Sequence, residues 1–166
     1  MMAQVASTMT ILKSKEETEL VFEYPCRACE IMLSLTIDNK TYLITDSTFT
    51  VDIIDVEKKS IHSQIDLAGG MVRCAVVVGE FIILGVEDAD NENGPGNILC
   101  YGVESLEKVG EETTGDHVTP FCLKALSSNP NQIMVGLSNG CIQLFSIHKQ
   151  SNKPLSIASA AISAAP

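Results

Sequence analysis

Three short segments repeat one another along the chain, and that repeat constrains the fold more than any other feature. Val51-Asp52-Ile53-Ile54-Asp55-Val56, Ile98-Leu99-Cys100-Tyr101-Gly102-Val103 and Ile142-Gln143-Leu144-Phe145-Ser146-Ile147 each end in a bulky apolar residue, a small or acidic one, then an aliphatic. From Val56 to Val103 is 47 residues and from Val103 to Ile147 is 44, the extra length sitting in the loop at 88–96. The runs before them align as well: Tyr42-Leu43-Ile44-Thr45, Ile82-Ile83-Leu84-Gly85 and Ile133-Met134-Val135-Gly136. These runs are short, rich in β-branched residues, alternate with period two and are bounded by turn-formers, which is the pattern of strands and not of helices.

The chain therefore reads as three strand meanders. Strands are predicted at 30–37, 41–45, 48–56 and 60–67, then at 71–78, 81–87, 97–103 and 106–111. The third set is 117–126, 132–137 and 141–147, the last two joined through Ser138-Asn139-Gly140, where Gly140 completes a strong hairpin signal. The predicted fold class is all-β: a partial β-propeller of three to four four-stranded antiparallel blades, since a repeat of ~40–45 residues with four strands per unit marks that architecture. A β-sandwich is the alternative, but it has no reason to repeat its strand-end pattern at a fixed period. The domain reading is an N-terminal segment at 1–27 with a stray strand at Leu20–Tyr24, blades at 28–67, 71–114 and 117–148, and a tail at 149–166 in which Leu155–Ile162 supplies an outer strand. Three units fall short of the ~4–8 blades of closed propellers. Completion by a second copy or by a partner propeller is expected, with a truncated product of a larger propeller protein as a further alternative.

Composition limits the partners. In 166 residues, 11 Lys+Arg stand against 21 Asp+Glu for a formal charge of -10, with no basic cluster. Nucleic acid and anionic membranes are therefore not expected partners, since both need phosphate-neutralising cations. With 45% hydrophobic and 19% charged residues, the chain has the make-up of a packed protein. Six cysteines are too dilute for a disulfide-stapled scaffold, no basic region opens the first residues, and no apolar run reaches the ~20 residues of a spanning helix. An intracellular location, cytoplasm or nucleus, is expected.

Over residues 28–148 the chain resembles the WD-repeat propeller family in degenerate form. Gly115-Asp116-His117 stands where that family carries Gly-His, and Ile54-Asp55, Tyr101-Gly102 and Phe145-Ser146 stand where it carries Trp-Asp. Asp55 alone keeps the aspartate, and the chain has no tryptophan, so the family's His-Asp network is not reproduced within any one blade. The acidic loop followed by Gly96-Asn97-Ile98 also resembles, over that blade alone, the very large propeller proteins of DNA-damage and RNA-cleavage assemblies. The resemblance implies a non-enzymatic scaffold for protein–protein interaction, with other proteins as partners.

Few residues suggest chemistry. Cys26-Arg27-Ala28-Cys29 is the one motif with metal or redox precedent, and a metal- or redox-dependent protein using Cys26 and Cys29 is the alternative function; no second pair completes a zinc site. In the loop 87–94, Asp88, Asp90 and Glu92 could attract a basic partner surface; an EF-hand reading fails because Asn93 stands where glycine is required and Leu99 where glutamate is. His62, His117 and His148 are too scattered for a catalytic arrangement, so no catalytic residue and no cofactor are assigned. His117, Asp55 and Gly140 are given structural roles, His117 by a side-chain hydrogen bond across its turn.

Overall fold

Alternating runs become sheets where one side of the pleat can be buried and the chain can reverse between them. The computed structural model describes residues 7–12, 20–26, 31–89, 94–148 and 156–162, with no helix among them. The chain divides into two compact units, residues 1–66 and 67–166.

In the first unit, β1 (Ser7–Leu12) pairs antiparallel with β2 (Leu20–Cys26), and β3 (Met32–Ile37), β4 (Lys40–Ser47), β5 (Thr50–Asp55) and β6 (Ser60–Asp66) form a sheet in sequence order. Asp38 and Asn39 close the β3–β4 hairpin at φ 48° and 62°, the left-handed backbone that suits a two-residue turn to the strand twist. All five residues from Val51 to Asp55 are buried, so β5 is covered on both faces. That explains why its run is continuously apolar apart from two aspartates. Asp52 is only 2% exposed and accepts hydrogen bonds from Tyr24 Oη at 2.9 Å, Gln64 Nε2 at 2.7 Å and Thr50 Oγ1 at 3.2 Å. The bond from Tyr24 fastens the β1–β2 hairpin to this blade.

In the second unit, β7 (Gly70–Val78), β8 (Phe81–Asp88), β9 (Asn97–Gly102) and β10 (Lys108–Thr113) form one blade. β11 (Pro120–Leu126), β12 (Asn129–Leu137), β13 (Ile142–His148) and β14 (Ser156–Ile162) form the next. First strand lies beside first strand, β7 against β11. The seam between the two blades is apolar: Val78, Ile83, Ile98 and Cys100 pack on Ile133, Val135, Leu137, Phe145 and Ile147. Each fully buried side chain of this size stabilises by ~1.5–3 kcal/mol, so this seam contributes strongly to the unit's stability.

Among the described residues the architecture is all-β and built of four-stranded antiparallel blades, as expected from the repeat, and not a sandwich: one such sheet in the first unit and two in the second, each a meander in sequence order. Several strand starts differ from expectation: β3 begins at Met32 instead of 30, β5 at Thr50 instead of 48 and β12 at Asn129 instead of 132, and two more differ for local reasons of the backbone. β10 begins at Lys108 instead of 106, because Leu106 has φ 55° in a turn closed by its N–H donating to the Gly102 carbonyl at 2.9 Å. β11 begins at Pro120 instead of 117, because His117 has φ 57°, which no strand accommodates. β1 was not anticipated; its partner β2 is separated from it by a charged stretch, Lys13 to Glu19, that carries no compact turn signal.

Candidate interaction rim

Strand direction brings a set of connections to one end of the second unit. Residues 67–70, 88–89, 94–96, 114–119 and 138–141 all lie where β7, β9, β11 and β13 begin. Of the sequence-chosen acidic residues, Asp88 ends β8 here, exposed and registered opposite Gly70. Asp90 and Glu92 lie outside the described residues. Asp116 is exposed at the same end, and Glu87 holds Arg73 through an Nε–Oε2 ion pair of 2.6 Å.

The connection between the two blades is rigidly built. Gly96 N–H donates to the Val118 carbonyl at 3.0 Å, and the Gly96 carbonyl accepts from Thr114 N–H at 2.9 Å and Thr114 Oγ1 at 3.0 Å. Thr114 Oγ1 also reaches the Val118 carbonyl, and Thr114 is buried. Gly96 is required by close approach: a Cβ there would lie 2.4 Å from Pro120 Cδ and 2.5 Å from the Val118 oxygen. Pro120 itself is fully buried. Thr119 N–H donates to Ser138 Oγ at 3.0 Å and Ser138 N–H to the Thr119 carbonyl at 2.9 Å, tying the next turn to this connection.

On this frame sits the residue that sequence reasoning missed. A register shift between Pro120 and Cys122 bulges β11 at Phe121, whose side chain is 58% exposed. β7 carries the same irregularity between Val72 and Cys74, which puts Arg73 in the corresponding place. Bulges re-aim a side chain out of the pleat. The available signal was the unbroken Pro120-Phe121-Cys122-Leu123 run, where strict alternation fails.

The other sequence-chosen residues are placed as follows. Asp55 Oδ1 accepts from the amides of Lys58 at 2.9 Å and Glu57 at 3.0 Å, closing the turn after β5, with Lys58 Nζ at 3.5 Å from Oδ2. Those bonds, led by the Lys58 amide, hold its carboxyl below the usual value of 3.8. Gly140 has φ 81° and donates to the Leu137 carbonyl at 2.9 Å, as the Asn-Gly turn requires. The His117 imidazole is exposed and has no hydrogen-bond partner among the described residues; the bonds across its turn come from Thr114. Cys26 ends β2, while its side chain and all of Cys29 lie outside the described residues. Among the described residues, no group of three or more His, Cys, Asp or Glu is placed to hold a metal ion. Cys74 and Cys100 are buried, and desolvation pushes both thiols up to about 12.

Solved structures share the fold. The chain is similar to the β-propeller domain of Cps50 (Swd1) from Myceliophteria thermophila, with a TM-score of 0.58 and 11% identity over 82% of this chain and 43% of that one. It is similar to the WD40 β-propeller domain of Doa1, with a TM-score of 0.55 and 16% identity over 74% and 38% of the two chains. BamB from Moraxella catarrhalis matches with a TM-score of 0.53 and 14% identity, over 78% and 38%. No family model matches the chain, and no curated protein matches it by sequence. Identities this low carry the fold and nothing beyond it: the chain is a partial β-propeller, with the WD-repeat resemblance appearing as a likeness of architecture. It spans 38–43% of the length of these three propeller chains.

Proposed function

We propose that this protein is a non-enzymatic interaction scaffold that binds other proteins through the rim of its second unit, in an intracellular, reducing setting. The observation that carries the reading is Phe121, a large aromatic exposed on a bulge beside a connection whose backbone is pinned by Thr114 and Gly96. A rigid aromatic loses little entropy on docking and is a common anchor of interfaces. Asp88 and Asp116 are exposed at the same end of the unit, and negative charge there favours a basic or mixed apolar-basic partner surface and speeds its approach at low salt. Buried, protonated thiols at Cys74 and Cys100 are consistent with a reducing setting.

The test is quantitative affinity capture from extracts of the source organism, comparing the wild-type chain with Phe121→Ala and with the Asp88→Asn, Asp116→Asn pair. Partners should be lost by at least ~10-fold with Phe121→Ala, an anchor-sized effect, and recovered less efficiently as salt rises. Capture unchanged by either variant, both of which keep the wild-type circular dichroism, would remove the rim as the binding site.

A further inference from the structure

We infer that Asn139 is a modification site: its side-chain amide is lost to attack by the Gly140 nitrogen, without an enzyme, and water leaves aspartate or isoaspartate in its place. The residue lies in the turn between β12 and β13, where Ser138, Asn139 and Gly140 are all exposed. The site stands apart from the binding reading, because it needs no partner.

The reaction is an intramolecular acyl transfer, and its requirements are geometric. The nucleophile is the main-chain nitrogen of the next residue, so covalent connection already holds it at the carboxamide and it needs only a clear path. Gly140 leaves that path clear: it has no side chain, and even a Cβ built on it would meet nothing within 4 Å. The electrophile is Asn139 Cγ. Asn139 Oδ1 accepts from the Cys141 amide N–H at 3.0 Å, a bond to the second residue on that folds the carboxamide forward over the Gly140 peptide. The same bond places a donor on the oxygen where negative charge develops during attack, as backbone amides do for tetrahedral intermediates. One contact opposes the step: Gly140 N–H donates to the Leu137 carbonyl at 2.9 Å and has to leave it before the nitrogen can attack. A single neutral hydrogen bond slows the reaction by at most ~10-fold.

Atoms balance with water as the only co-reactant. The Gly140 nitrogen bonds to Asn139 Cγ and gives up its proton, the Cγ–Nδ2 bond breaks, and Nδ2 leaves as ammonia carrying that proton. The product is a cyclic succinimide. Water then adds to one of the two ring carbonyls: opening at Cγ gives aspartate, and opening at the main-chain carbonyl of residue 139 gives isoaspartate, whose main chain runs through Cβ and Cγ. Nothing is oxidised or reduced. Either product replaces a neutral amide with a carboxylate at the end of the unit where Asp88 and Asp116 are exposed. The isoaspartate also lengthens the turn next to Ser138, which exchanges hydrogen bonds with Thr119 at 2.9 and 3.0 Å.

Peptide mapping by mass spectrometry of the full chain, incubated at neutral pH in its native form and in urea, tests this. In the native chain the peptide holding residue 139 should gain the mass of an NH2-to-OH exchange, at a rate no more than ~10-fold below that in urea. Mapping separates it from the other Asn-Gly pair, Asn93-Gly94. Hydroxylamine, which intercepts the succinimide, should cleave the native chain between residues 139 and 140. Cys141→Pro, which removes the donor to Oδ1, should slow the native reaction ~10-fold, less than the ~10²–10³ of a donor in a water-excluded site. Native protection beyond ~10-fold, a mass gain without hydroxylamine cleavage, or a native rate unchanged by Cys141→Pro would each overturn the assignment. The comparison with urea stands even if Cys141→Pro fails to fold.

Discussion

Replacing Gly96 with alanine adds one methyl group at the point where two blades are joined, and the structure sets its cost. The new Cβ would lie 2.4 Å from Pro120 Cδ, 2.5 Å from the Val118 oxygen and 2.8 Å from Thr114 Oγ1. Two of these are a buried proline ring and a backbone carbonyl, neither of which can swing aside. Gly96 does not have a positive φ, so alanine is conformationally permitted and the penalty is steric alone. Overpacking of this kind costs ~1–3 kcal/mol, and the displacement strains bonds to Gly96 and Val118 worth ~1 kcal/mol each. With about half of that bond energy lost, the total is about 2–4 kcal/mol, a large share of the ~5–15 kcal/mol that stabilises a typical domain. Gly79→Ala is the control: φ is +56° there, but nothing lies within 4 Å of the new Cβ, so only backbone strain of ~1–2 kcal/mol is incurred. Urea unfolding followed by far-ultraviolet circular dichroism should therefore show Gly96→Ala with a midpoint well below that of Gly79→Ala, at similar m-values. Equal or reversed midpoints would refute the close-packed junction at Gly96.

Three further outcomes follow from buried groups. Asp52→Ala should destabilise the first unit by ~1–3 kcal/mol in the same urea assay, since it strips Tyr24, Gln64 and Thr50 of their acceptor; a neutral effect would mean those donors are satisfied elsewhere. Asp55 binds its proton more weakly when folded, so its contribution is present above the usual carboxylate value of 3.8 and is lost as pH falls through the lower folded value. Asp55→Asn should flatten that part of the acid-unfolding curve. Cys74 and Cys100 behave oppositely, being raised by burial from 9.0 to about 12, so the stability they contribute is present below 9.0 and lost as pH rises from there towards 12. At neutral pH, iodoacetamide should modify the exposed Cys122 and Cys141 before Cys74 and Cys100; simultaneous labelling of all four would contradict the buried positions.

Much of the blade was legible because strand periodicity and turn chemistry are local. Asp38-Asn39-Lys40, Gly79-Glu80 and Ser138-Asn139-Gly140 stand at real reversals, and the repeated third strands became β5, β9 and β13. Strand ends were less legible where one residue adopts a left-handed backbone, as at Leu106 and His117, since neither residue type advertises it. The rim was legible only in part. The charge run marked Asp88, whereas Phe121 looked like one more apolar strand residue, and only the one-residue slip against β12 turns it outward.

The sequence by itself determined that this chain is all-β, that its strands come in fours, and that the fours repeat, because pleat periodicity and turn preference belong to a few neighbouring residues. The tertiary structure alone decided which faces are spent and which remain. Ile98 and Ile142 occupy the same place in the repeat, yet one is sealed under the next blade and the other stands half exposed. Burial depends on what lies across the sheet, and no residue carries that in its own identity.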